Sequence, residues 1–212
     1  MYEPAVTITD YILALEGAVF AAMLLKVQTL FTQLRLWLVL FLAGFSVAAA
    51  LGGTVHGFFP SEETLAYGIL WRATLLTLGF IALAGWGMGT AIALPPRFLN
   101  PVIIIAGIEF IAYAIYVVFV SQDYLVAVLN YLPASLYVLG AFSWRLYKDK
   151  STPALYGVCG LILTFVAAGV QTGKVSIHPV YFDYNALYHV IQGIGIVFIY
   201  LAGRGMIRHH EA

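Results

Sequence analysis

The stretch Phe182–Tyr200, FDYNALYHVIQGIGIVFIY, decides how this chain is read. It is apolar and long enough to cross a bilayer, yet it carries Asn185, His189 and Gln192. These stand at i, i+4 and i+7, so a helix puts them on one face. Gly193 borders that stripe and leaves room beside it. Lipid penalises such a face, so it is expected to turn into a helix bundle or a wet cavity.

The remainder of the chain supplies the bundle. Of its 212 residues, 62% are hydrophobic and 9% charged; mean hydropathy is +0.94. Soluble domains average about 45–50% apolar and about 25% charged residues. One core cannot bury this much apolar surface, so the expected solvent is lipid. The formal net charge of zero gives no reason to expect nucleic acid. The single cysteine, Cys159, excludes a disulfide within the chain. The N-terminus lacks a basic region and a small-residue cleavage site. Its first apolar run is therefore read as a retained helix.

A span needs about 20 largely apolar residues. Seven stretches qualify, at 8–25, 34–59, 65–94, 101–120, 124–144, 152–171 and 182–202. The expected fold is an all-α seven-transmembrane bundle in one domain, 1–212. Pro60, Pro95, Pro96 and Pro179 fall between spans, and Pro133 is expected to kink the fifth. Gly85 and Gly89 form a small-xxx-small pair suited to close helix packing. Lys26, Arg35, Arg97, Arg145, Lys148, Lys150, Arg204 and Arg208 all fall on one side of such a bundle. Lys174 falls on the other, with Glu3, Asp10, Glu62, Glu63, Asp123 and Asp183. This asymmetry predicts a cytoplasmic C-terminus and an N-terminus outside or in a lumen.

Polar residues that lipid should exclude are the functional candidates. They are Glu16 in span one, His56 near the end of span two, Arg72 in span three, Glu109 in span four and Asn130 in span five. Asn185, His189 and Gln192 complete the set. At about 1.5 Å of rise per residue, all except Glu109 fall near the midplane or in the outer half. Arg72 must be paired or wet, and an ion pair with Glu16 or Glu109 is the expected partnership. Tyr113 and Tyr116 read as packing residues, Asp183 as an N-cap, and His209 and His210 as a polar tail. His56 and His189 can meet at one depth, and imidazole suits zinc, iron or copper. A catalytic zinc needs three protein ligands plus water, so Asp183, His178, Glu16 and Asp10 stand as alternatives for a third.

The motifs GGTVHGFF, 52–59, and NALYHVIQ, 185–192, resemble elements of the CREST superfamily. That group of seven-span proteins includes alkaline ceramidases and adiponectin-receptor-like proteins. His56 stands at its span-two histidine and His189 at the second histidine of its span-seven HxxxH. The resemblance implies a zinc ion that activates water to cleave a lipid amide. This sequence departs from the pattern at Asn185, where the first histidine belongs. It departs again in AYGILWRATLL, 66–76, where Arg72 stands and no aspartate does, and at Gly52, four residues before His56.

Three functions are therefore carried forward. A metal-dependent lipid hydrolase would use His56 and His189 as ligands, Glu16 or Asp183 as general base, and Arg72 as oxyanion or phosphate partner. A membrane binder or transporter would hold a small polar solute or a lipid headgroup on Asn185, Gln192, Asn130 and Glu109. A haem protein would use the two histidines axially. No lysine lies between Phe182 and Ala202 to hold a retinal, and ALPPRFLN, 93–100, lacks the triplet of common G-protein-coupled receptors.

The orientation is tested in a Cys159→Ser background. A membrane-impermeant maleimide applied from outside should label Glu63→Cys and leave Lys148→Cys untouched; the reverse pattern inverts the topology.

Overall fold

The computed structural model describes residues 1–30 and 32–209. Phe31 and residues 210–212, His210 among them, lie outside it. The helices are α1 Pro4–Leu25, α2 Thr32–Phe58, α3 Leu65–Ala93, α4 Leu99–Phe119, α5 Tyr124–Asp149, α6 Thr152–Thr172 and α7 Tyr184–His209. A short 3-10 turn, Pro96–Phe98, precedes α4. Seven helices are long and apolar enough to cross a membrane, which makes the chain a multi-pass integral membrane protein.

Local chemistry sets the helix ends. Pro4 opens α1 and Pro153 stands in the first turn of α6, where a missing N–H is harmless. Thr64, Asp123 and Ser151 cap α3, α5 and α6 through their side chains. α1 begins earlier than hydropathy suggests, at Pro4, so Asp10 lies well inside it rather than near its end. α7 begins at Tyr184, later than expected, because His178 and Phe182 exchange backbone hydrogen bonds of 3.0 Å in the preceding loop. Pro133 lies within a continuous α5, on an exposed face.

The most extensive packing joins α6 to α7, α1 to α2, α2 to α3, and α3 to α5; α1 against α7 closes the ring. α4 joins the bundle through α3. Small residues set these distances. A Cβ on Gly53 of α2 would fall 2.8 Å from Asp10 Cβ of α1. Gly160 of α6 and Gly195 of α7 face each other, each Cβ position falling 2.8 or 3.0 Å from the other's carbonyl oxygen. Gly85 and Gly89 meet Ala134 and Tyr137 of α5, the packing use expected for that pair.

The starts of α1, α3, α5 and α7 and the ends of α2 and α6 gather at one end of the bundle, where their side chains line one cavity. The opposite half is a dry core of Leu34, Leu38, Leu42, Ile199 and Ile207.

Gly160→Leu should force α6 and α7 apart and destabilise the detergent-purified protein by about 1–3 kcal/mol or more. A thermal midpoint equal to wild type contradicts this contact.

Candidate functional site

His189 is buried between α7 and α1, and both its ring nitrogens meet α1. Nδ1 lies 3.0 Å from Thr9 Oγ1. Nε2 lies 3.2 Å from Asp10 Oδ1. Asp10 is itself only 4% exposed. The neighbours fix the tautomer. The Thr9 hydroxyl has one hydrogen, and its Oγ1 lies 2.8 Å from Ala5 O and 2.9 Å from Val6 O of its own helix. Thr9 therefore accepts from His189, and Nδ1 carries a hydrogen. Nε2 then faces a carboxyl oxygen, and two bare acceptors repel. A proton held on either atom removes this repulsion, and with it the pair is neutral overall. Asp10 Oδ2 has no protein donor among the described residues.

This pair forms part of the wall of a cavity of about 210 Å³. Every helix except α4 contributes to it. Asp10 comes from α1, His56 from α2, Trp71 and Thr74 from α3, Tyr124 from α5, Gln171 from α6, and Asn185, Tyr188 and His189 from α7. Asn185 Oδ1 accepts from Gln171 Nε2 at 3.2 Å. His56 donates from Nδ1 to Glu3 Oε2 at 2.6 Å, toward the start of α1. A second space of about 80 Å³ shares Phe45, Leu78, Tyr124, Gln171 and Tyr188 with the first. Gln192 lines it, 1% exposed. Its Nε2 donates to Thr164 Oγ1 at 3.2 Å, while its Oε1 has no partner among the described residues.

Thus His56, His189 and Asn185 come together as expected, and Gln192 lies one turn deeper. Other candidates do not join them. The expected ion pair of Arg72 with Glu16 or Glu109 is not formed. Arg72 instead reaches toward the α4–α5 loop, where the Gln122 amide oxygen, turned inward, accepts from Nε at 3.1 Å and from Nη2 at 2.7 Å. Its Nη1 donates to Gly68 O at 3.2 Å. A guanidinium on a long stem reaches the helix end more readily than it crosses a bundle. Glu16 packs against Gly193, where an added Cβ would fall 3.0 Å from its Oε2. Glu109 belongs to α4, the helix that contributes nothing to the cavity, and Asn130 lines neither space. Asp183 caps α7, accepting from Ala186 N at 2.9 Å. His178 Nδ1 accepts from Val180 N and Tyr181 N at 3.2 and 3.1 Å within its own loop.

Thr9, Trp71, Tyr124, Gln171 and Tyr188 join the site without a motif to mark them, and Asp10 enters it as the partner of His189 rather than as a third metal ligand. A signal existed: Pro4 is a helix starter, which moves Thr9 and Asp10 into the second turn. Among the described residues, no three His, Cys, Asp or Glu side chains are grouped to hold one metal ion. His189 has both nitrogens engaged by α1, and His56 turns Nδ1 to Glu3. This donor set does not fit a catalytic zinc.

Fold and site together describe a seven-helix membrane protein with a buried acid–imidazole pair on the wall of a cavity. The sequence profile of DUF6962, a family of unknown function, matches residues 5–208, so the chain belongs to that family. No curated protein and no solved structure matches it.

Breaking a buried pair leaves an uncompensated group. Asp10→Ala and His189→Ala should each cost about 3–5 kcal/mol. The double variant should cost less than their sum, by about 1 kcal/mol or more. Additive losses contradict the contact.

Proposed function

We propose that the protein is a membrane-embedded binder whose site is the cavity between α1, α2, α3, α5, α6 and α7. It takes a small polar solute or a lipid headgroup from the side on which α1 begins, and the distribution of basic residues supports an outward orientation for that side. One observation carries this reading: polar side chains from separate helices converge on one cavity, and α4 alone contributes none. Binding pockets combine apolar walls with a few placed polar groups, and this cavity has that composition. Phe45, Leu78 and Ala49 supply apolar wall, while Asp10, His189, Asn185 and Gln171 supply polar contacts.

The hydrolase implied by the CREST resemblance has less support. Its base candidates, Glu16 and Asp183, do not line the cavity, and its cation, Arg72, is held by Gln122. Nothing in the arrangement favours haem, since neither Nδ1 nor Nε2 of His189 is free of α1.

The test is a thermal-shift screen of the detergent-purified protein against small polar solutes and short-chain lipids. Ala49→Phe serves as a variant with the cavity filled. A ligand at 100 times its Kd adds about 2.7 kcal/mol. At least one compound should raise the midpoint of wild type and leave Ala49→Phe unmoved. Equal responses in both proteins contradict the site. Stoichiometric zinc together with turnover of a lipid amide restores the hydrolase.

A further inference from the structure

The chemistry of the cavity walls is one-sided. Asp10 is their sole Asp, Glu, Lys or Arg residue. A second carboxylate, Glu3, stands just beyond, on His56. No lysine or arginine lines the space, and Arg72, the cation that would have favoured an anion, is turned to Gln122. The remaining wall is rich in aromatic faces. Trp71 is fixed by its Nε1–H to Gln122 O at 3.0 Å, and its ring stands 6.2 Å from that of Tyr124. Tyr188 and Phe45 complete this lining. A carboxylate among aromatic faces is an environment for a cation.

Resting on the binder reading above, we infer that the ligand is a protonated primary amine, and that it enters in exchange for the one proton held by the Asp10–His189 pair. The geometry gives both halves. Asp10 Oδ2 lacks a protein donor, so an ammonium hydrogen can be accepted there. If that proton stayed, the occupied site would hold a net positive charge in a low-dielectric interior. If it leaves, the amine and the carboxylate neutralise each other. Nε2 is then a bare acceptor beside Oδ1. A primary ammonium has three hydrogens, enough to serve Oδ2, Oδ1 and Nε2 together. A quaternary ammonium has none and leaves Nε2 facing Oδ1 unsatisfied. The balance is one ammonium bound and one proton released to water. Titratable groups near the pair are Glu3 and Glu16 of α1's stretch, His56 of α2, Tyr124 of α5 and Tyr188 of α7. None of them contacts Oδ2.

Primary ammonium groups occur on free amines and on lipid headgroups, and the two sources can be separated. The experiment is isothermal titration of the full chain in detergent with phenethylamine, in two buffers of different ionisation enthalpy. The neutral 2-phenylethanol and the N,N,N-trimethyl analogue serve as controls. Phenethylamine should bind, release one proton, and lose affinity by about tenfold or more in either control, a step of about 1.4 kcal/mol. His189→Gln, which keeps Asp10 and removes the imidazole, leaves a buried carboxyl that still gives up its proton as the ammonium binds, and should bind more weakly because Nε2 no longer accepts an ammonium hydrogen. Asp10→Asn should lose both binding and release. In nanodiscs, phosphatidylethanolamine competing with phenethylamine where phosphatidylcholine does not identifies a lipid source; no competition by either identifies a soluble amine. Amine binding without proton release, or binding no tighter than that of the alcohol, overturns the inference. If neutral or anionic solutes shift wild type but not Ala49→Phe, the cavity stands as a site and the amine is wrong. If nothing distinguishes those two proteins, the binding reading itself fails.

Discussion

A carboxyl group and an imidazole in the interior of a membrane bundle must answer to each other, and the contact of Asp10 with His189 is that constraint here. It ties α1 to α7 and closes the ring. Thr9 extends the tie by one residue and fixes which nitrogen of His189 carries a hydrogen. Several packing features serve this contact. Gly53 lacks a side chain where Asp10 passes, and Gly57 lacks one where Thr7 passes, so α1 approaches α2 closely along the polar segment. The glycines of GGTVHGFF thus have a structural explanation in helix packing, whatever chemistry His56 performs.

Burial without ion pairing distinguishes the rest of the site. Among the described residues, the recorded acid–base contacts are Glu3 with His56, Arg145 with Asp149, and Asp10 with His189. The first two are substantially exposed, and exposed pairs contribute little. The third is buried, and its removal is felt through what it leaves unsatisfied. Polar groups deeper in the bundle are satisfied in part. Gln192 donates to Thr164 and keeps an unpartnered oxygen beside the second space. The interior is therefore polar along a path from Glu3 and His56, past Asp10 and His189, to Gln192.

Most of the fold was legible in the sequence, because a span announces itself by length and apolarity. The span ends agree with the helices to within a few residues except at the ends of α5 and α7, which run on to Asp149 and His209 through basic last turns that hydropathy does not register as span. The site was legible in part. Asn185, His189 and Gln192 share a face because helical spacing requires it, and His56 arrives at their depth because α2 ends where α7 begins. Their partners were not legible. Asp10 looked like a loop-side acid because hydropathy began the first span at Ile8, whereas the helix begins at Pro4. Arg72 looked like a mate for a buried acid, since sequence carries no record of Gln122 lying within its reach. Trp71, Tyr124 and Tyr188 read as ordinary aromatic residues of spans, and only their convergence sets them apart.

The site turns on the placement of one proton, and nitrogen NMR of the imidazole rings measures it most directly. In protein labelled with 15N-histidine, the signals that vanish in His189→Gln belong to His189. Nδ1 should be protonated, and the Nε2 shift should move when Asp10 is changed to Asn. A bare Nδ1, or an Nε2 signal indifferent to Asp10, would contradict that placement.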